Sequence, residues 1–307
     1  MTVIALTGAT GFVGGEVLDL ATSRGLRIRA LTRRPQPDRD GVTWVPGALD
    51  DVGALAELVR GADAVLHVAG VVNAPDRAGF QAGNVTGTQL IVGAATAAGV
   101  RRFVHVSSLA AREPALSDYG WSKAEAEKAV ANSPLDWVMV RPPAIYGPGD
   151  REMLDLFRAG KRGIIPLPPH GKLSVIHAAD LARLLVDLSA SPDLHEGVTR
   201  KVLEVDDGRA GGWSHVDFGR AIAAAVGRPK AMIVSVPAAV VRAGARIDRL
   251  VRGARAKLTA DRASYFCHPD WTITPERRPS PNIWQPQIDT VRGLAETAAA
   301  YRAKNWL

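Results

Sequence analysis

A tyrosine and a lysine four positions apart, Tyr119 and Lys123 in "YGWSK", open a charged run with helical spacing. Positions i and i+4 share one helix face, so a phenol and an ammonium would stand together there. A free tyrosine has a pKa of about 10, too high for base chemistry near neutrality, but a neighbouring positive charge favours the phenolate. The pair is read as a proton-transfer group tuned toward working pH. The competing reading is a wet helix surface, with Lys123 paired to Glu127 and Tyr119 a helix-start aromatic.

A second chemical signal lies near the N-terminus. "TGATGFVG" follows the apolar run "VIALT" and sets Gly8, Gly11 and Gly14 three residues apart, just before a helical pattern. Glycine there allows a tight turn, a close approach of bare backbone to a pyrophosphate, and helix–strand contact. The helix start adds free N–H groups and a positive dipole end. After the next apolar run the chain reads "ALTRRPQP", so Arg33 and Arg34 stand where an acid would hold the ribose of NAD and a base would hold a 2′-phosphate. Guanidinium matches phosphate well, which favours NADP(H) over NAD(H) as cofactor; a surface-loop role is the alternative.

The elements that must position these groups alternate. "VIALT" (3–7), "RIRALT" (27–32), "DAVLHVA" (63–69), "RFVHVS" (102–107) and "DWVMV" (136–140) read as buried strands, with helical patterns between them. This alternation predicts an α/β fold with a doubly wound parallel sheet, a Rossmann domain over 1–165. Two Pro/Gly-rich loops, "RPPAIYGPGD" and "GIIPLPPHGK", then lead to helices near 179–190 and 214–226, a strand at 201–205 and a last helix. Residues 166–307 are read as mainly a smaller substrate lobe, with some segments returning to the sheet.

Six motifs in order, "TGATGFVG", "HVAG" (67–70), "NVTGTQ" (84–89), "VSSLAA" (106–111), "YGWSK" and "RPPAIYGPGD", make the chain resemble the extended short-chain dehydrogenase/reductases, or NAD-dependent epimerase/dehydratase family. The resemblance implies that Tyr119 is the general acid/base, that Lys123 lowers its pKa and binds the nicotinamide ribose, and that Ser108 holds the substrate oxygen. Ser107 is the weaker choice for that hydroxyl. Asn84 would help shape the site. Cofactor contacts are expected from Gly8, Thr10, Gly11, Phe12, Val13, Gly14, Arg33, Arg34, Asp50, Ala69, Lys123 and Pro142. Ala48 replaces the family's adenine-binding aspartate, so that contact is assigned to Asp50, Asp51 or backbone.

Two further departures bear on substrate. Ala144 stands where nucleotide-sugar enzymes of the family have an asparagine, and Leu109 and Ala110 replace the Asp-Glu pair of the dehydratases. The resemblance is thus to reductases and hydroxysteroid-dehydrogenase-type members acting on a small, apolar alcohol or ketone. A sugar-nucleotide epimerase and a non-catalytic NADP(H)-binding assembly or sensor protein are the alternatives. A homodimer is the assembly the resemblance suggests.

Composition sets outer limits. The chain has 307 residues, 47% hydrophobic and 22% charged, with Cys267 its one cysteine, so an internal disulfide is excluded and a reducing, cytoplasmic setting is expected. The apolar N-terminus lacks a basic leader and is cut by glycines, unlike a signal peptide. The net charge of +7 is local: seven basic residues against Asp248 and Asp261 give Val240–Arg262 a net +5. Arg242, Arg246 and Arg249 share one helical face, read either as plainly solvated or as a weak membrane-surface contact through 240–262. No aromatic platform accompanies them, which excludes nucleic acid as the expected partner. No Cys/His cluster has zinc spacing. His67 and His105 are expected in the core, and Trp213, Tyr265, Phe266 and Trp271 in packing rather than a pocket.

Overall fold

The computed structural model describes residues 2–191, 195–253, 256 and 258–307; Arg255 and Lys257 of the basic stretch lie outside them. The chain divides into two compact units. The first comprises Met1–Arg141, Leu181–Glu204 and Pro279–Trp284; the second comprises Pro142–Asp180, Val205–Arg278 and Gln285–Leu307.

In order along the chain run β1 (Val3–Thr7), α1 (Phe12–Ser23), β2 (Arg27–Thr32), β3 (Val42–Pro46), α2 (Val52–Val59), β4 (Ala64–His67) and α3 (Arg77–Phe80). A π-helical turn, Gln81–Thr86, joins α3 to α4 (Gly87–Ala97), followed by β5 (Arg102–Val106), α5 (Asp118–Ala131) and β6 (Asp136–Arg141). Then come β7 (Ala144–Tyr146), α6 (Leu154–Arg162), β8 (Ile164–Leu167), β9 (Lys172–Leu173), β10 (Val175–His177), α7 (Ala178–Ala190), α8 (His195–Val198) and β11 (Lys201–Glu204). The chain ends with β12 (Trp213–Ser214), α9 (His215–Ala225), β13 (Met232–Ser235), α10 (Ala238–Arg252), α11 (Ala260–Phe266), β14 (Asp270–Trp271) and α12 (Thr290–Ala303).

Seven strands form the sheet of the first unit, in the order β11-β6-β5-β4-β1-β2-β3, all parallel. Every residue of β4 and β5 is buried, which is why their sequences read as continuous rather than alternating apolar runs. The chain winds outward from β1 through β2 to β3, then returns to β4 and winds the other way. The strand order therefore reverses between β1 and β4, and ligands of such sheets bind at the carboxyl ends on either side of that point. Helices α2 and α4 cover one face through Leu55, Leu58, Ile91 and Ala95, packed with Phe103 and Trp137.

One strand escapes the periodicity. β3 buries only Val45 and leaves Thr43 and Pro46 exposed, as an edge strand can, so its sequence lacks the apolar run that marks its neighbours. The two Pro/Gly-rich loops also hold strands. β7 pairs with β10 and β8 with β13, each in a two-stranded sheet whose edges tolerate proline. The core of the second unit gathers Phe157, Ile165, Phe218, Ile222, Leu294 and Tyr301 from α6, β8, α9 and α12.

Candidate active site

The loop after β1 is built for close approach. Gly8 has φ +79°, and a Cβ there would stand 2.7 Å from the backbone nitrogen of Ala69, just beyond β4. A Cβ on Gly14 would lie 2.0 Å from the Gly8 carbonyl oxygen, so helix and turn pack with no room for a side chain. Gly11 donates its N–H to Gly8 O at 2.9 Å and serves as N-cap of α1 without a side-chain cap. The first N–H groups of α1, from Phe12, Val13 and Gly14, have no intrahelical acceptor, the arrangement by which a helix start can receive an anion. Thr10 and Gly11 are exposed at the mouth of this cradle. Thr7 Oγ accepts from Ala69 N–H at 3.2 Å, tying the ends of β1 and β4 together at the switch point.

Arg33 and Arg34 follow β2, both exposed. Their loop is held by Thr32, whose hydroxyl donates to Arg34 O at 2.6 Å. Asp51 caps α2 by accepting from Ala54 N–H at 2.9 Å, which engages one of the two carboxylates considered for adenine; Asp50 is exposed beside it.

Tyr119 and Lys123 lie on α5, whose N-cap Ser117 accepts from Gly120 N–H at 3.0 Å. The glycine inside "YGWSK" has a steric reason: a Cβ on Gly120 would stand 2.7 Å from Ala110 O, so a larger residue would push the first turn of α5 off the Leu109–Arg112 turn. Ser108 caps that turn, its Oγ accepting from Ala110 N–H at 3.2 Å, and it is buried. Tyr119 is half-buried, its ring centroid 6.0 Å from that of Phe80.

Lys123 is buried rather than wet. Its ammonium donates to Val106 O at the end of β5, 2.9 Å away, and a Cβ on Gly70 would stand 3.4 Å from its Nζ. Loss of hydration lowers its pKa from 10.5 to about 8, partly offset by the Glu127 carboxylate. Glu127 does not form a surface pair with Lys123. It accepts from Ser107 Oγ at 2.5 Å and receives Arg141 in a fork, Nη2 at 2.6 Å and Nε at 2.8 Å. Arg141 also reaches the buried Glu204 at 3.3 Å, and Arg112 approaches the same carboxylate at 3.4 Å. Ser107 is thereby engaged below the surface.

Asn84 sits in the π-helical turn, a local widening of the helix frequent at functional sites. Its side chain accepts from Val71 N–H at 2.6 Å and donates to Val71 O and Ser122 Oγ, both at 2.9 Å. Ser122 in turn donates to Tyr119 O at 2.8 Å. Asn84 thus staples the loop beyond β4 to the turn of α5 that bears the tyrosine. The helical spacing of "NVTGTQLIVGAATAAG" predicts an ordinary helix from Asn84 onward; Gly83 and Gly87 on either side of it are the signal of the irregular turn.

His67 and His105 are buried, as expected, but the partners of Glu127 and the clamp around His67 are not legible in the sequence. Glu127 lies on the Tyr119/Lys123 face, at i+4 from the lysine, and its partners come from strand ends. His67 is clamped between Thr7 Oγ (2.7 Å) and Thr88 Oγ (2.9 Å) and stacks on His105 at 5.3 Å. Burial first, and then the Lys123 charge, lower the His67 pKa to about 3, so it is neutral. Of the remaining expected residues, Pro142 is buried and begins the second unit, and Ala144 lies in β7. His177 accepts from Ala179 N–H at 3.2 Å at the start of α7, and Asp180 accepts from Gln287 and Ile288 N–H and so holds the loop before α12. The rings of Tyr265 and Trp271 lie 4.7 Å apart, centroid to centroid, in a tilted contact.

The parallel sheet and the bare glycine cradle at its switch point define a Rossmann fold of the dinucleotide-binding kind. Over residues 8–192 the chain matches the NAD(P)H-binding family. It is 36% identical over 313 residues to the ceramide reductase of Caulobacter vibrioides, covering 99% of this chain and 96% of that one. It is 28% identical to the 2-alkyl-3-oxoalkanoate reductase of Stenotrophomonas maltophilia, covering 98% and 99%. The fold matches UDP-glucose 4-epimerase of Thermus thermophilus in complex with NAD, with a TM-score of 0.72 at 19% identity over 98% of this chain and 99% of that one. The chain belongs to the NAD(P)H-binding family and is an NAD(P)-dependent oxidoreductase of the extended short-chain dehydrogenase/reductase type.

Proposed function

We propose that the protein is an NADPH-preferring ketoreductase whose substrate carries its carbonyl on a long aliphatic chain, as in a ceramide-like lipid. The observation that carries the reaction type is the buried ammonium of Lys123, held against Val106 O one helical turn from Tyr119. When bound, the nicotinamide supplies the hydride that reaches the carbonyl carbon. Tyr119 gives its phenolic proton to the carbonyl oxygen, so ketone becomes alcohol. Ser108, whose oxygen accepts from backbone, keeps its own proton to donate to that same oxygen. The Lys123 ammonium stabilises the phenolate until solvent returns the proton.

The substrate class rests on the full-length similarity to a ceramide reductase and on Ala144 in place of the nucleotide-sugar asparagine. Cofactor choice rests on Arg33 and Arg34. Incubation with NADPH, and separately with long-chain 3-oxo amides, short ketones and UDP-sugars, with products identified by mass spectrometry, tests the reading. Alcohol formed from the long-chain ketone at the expense of NADPH is the expected result. Conversion of a UDP-sugar without cofactor consumption would replace the reading with an epimerase. Arg33→Gln with Arg34→Gln should lower the NADPH-over-NADH preference about tenfold or more; an unchanged ratio would remove the arginines from cofactor selection.

A further inference from the structure

We propose that α10 docks this protein onto the surface of an anionic lipid bilayer. The helix has two apolar faces. One, with Val241 and the buried Ala245, turns inward and packs on α11. The other recurs as Val240, Ala243, Ile247, Leu250 and Val251, and it is open: Leu250 is 85% exposed, Val251 77%, Ile247 61% and Val240 56%. A solvated helix normally presents polar residues there.

The charges choose the occupant. The helix bears four arginines and one aspartate, and the aspartate is turned inward: Asp248 accepts from Leu258 N–H at 2.9 Å and pairs with Arg252 at 3.2 Å. Arg242, Arg246 and Arg249 are exposed, spaced along the flank of the open apolar stripe. Apolar residues that enter the acyl boundary, beside arginines that reach head-group phosphates, are the pattern of a helix lying in a bilayer interface. A second copy fits less well, since an antiparallel two-fold pairing through the apolar stripe would bring the two arginine flanks side by side. Among the described residues no helix is long and apolar enough to cross a membrane, so the contact is peripheral. The inference stands on the helix and not on the substrate reading; vesicle binding without lipid-ketone turnover would leave it intact.

Co-sedimentation of the full chain with phosphatidylcholine vesicles, with and without phosphatidylglycerol, is the test. Binding to the anionic vesicles that weakens with salt is expected. Ile247→Ser with Leu250→Ser should lower the partition about tenfold or more, and Arg242→Gln or Arg246→Gln about fivefold each. Val52→Ser, which removes an exposed apolar side chain from α2, should change nothing. Circular dichroism of each variant checks the fold. Absence of binding to anionic vesicles, or equal binding by the α10 variants, would overturn the proposal. So would a concentration-dependent dimer that the Ile247/Leu250 variant abolishes, because a second copy would then be the occupant.

Discussion

Helices α5 and α10 are both rich in charge, yet they treat it in opposite ways. α5 turns Lys123 and Glu127 inward, where Val106 O, Ser107 and Arg141 receive them. α10 keeps its arginines outside and leaves Leu250 and Val251 in water. Burying an ammonium costs free energy that an apolar residue would not, and exposing leucine forgoes burial that a core position would supply. Departures of this kind from the usual pattern concentrate at functional sites. In α5 the candidate is chemistry, in α10 docking.

Glu127→Ala would strand Arg141 beside a single remaining carboxylate, and loss of one partner of such a buried pair costs about 3–5 kcal/mol. Urea unfolding should show that loss; a change below about 1 kcal/mol would make the pair an ordinary surface bridge. The next effect depends on pH. Below pH 8 both folded and unfolded forms hold the Lys123 proton, and the folded state bears the full penalty of the buried charge, about 3 kcal/mol for a drop from 10.5 to about 8. Between about 8 and 10.5 the folded state releases its proton while the unfolded chain still binds one, so stability rises with pH across that window. Lys123→Met should lack this rise, and the difference between the two proteins, read by unfolding at pH 7.5 to 10, should move by up to about 3 kcal/mol. A constant difference would mean that the ammonium is hydrated. The smallest effect belongs to α10: Leu250→Ser should alter the melting free energy by no more than about 0.5 kcal/mol. A larger loss would place Leu250 in a packed site.

Much of the fold was legible because its strands are buried on both faces. β1, β2, β4, β5 and β6 announce themselves as apolar runs, whereas β3 buries one residue and β8 contains Pro166, so neither stands out. The glycine cradle was legible from spacing because its chemistry is local to one turn. The Arg141–Glu127–Ser107 cluster and the Thr7–His67–Thr88 clamp were not, because they form only when separate strand ends and helices meet. The open face of α10 lay between these cases. Its arginine stripe was visible in the sequence, but the same periodic apolar residues could equally have faced a core, and only their exposure in the fold distinguishes the two.

In the proposed mechanism Tyr119 moves the proton and Lys123 supports the resulting phenolate. Tyr119→Phe keeps the ring against Phe80 and removes only the hydroxyl, so the folded site and its cofactor cradle should persist. Turnover of the ketone substrate by the purified variant, measured alongside NADPH affinity by fluorescence titration, is the most direct test. Turnover should fall about 10²–10⁴-fold, with NADPH affinity nearly unchanged. A variant that turns over at the wild-type rate would contradict this mechanism.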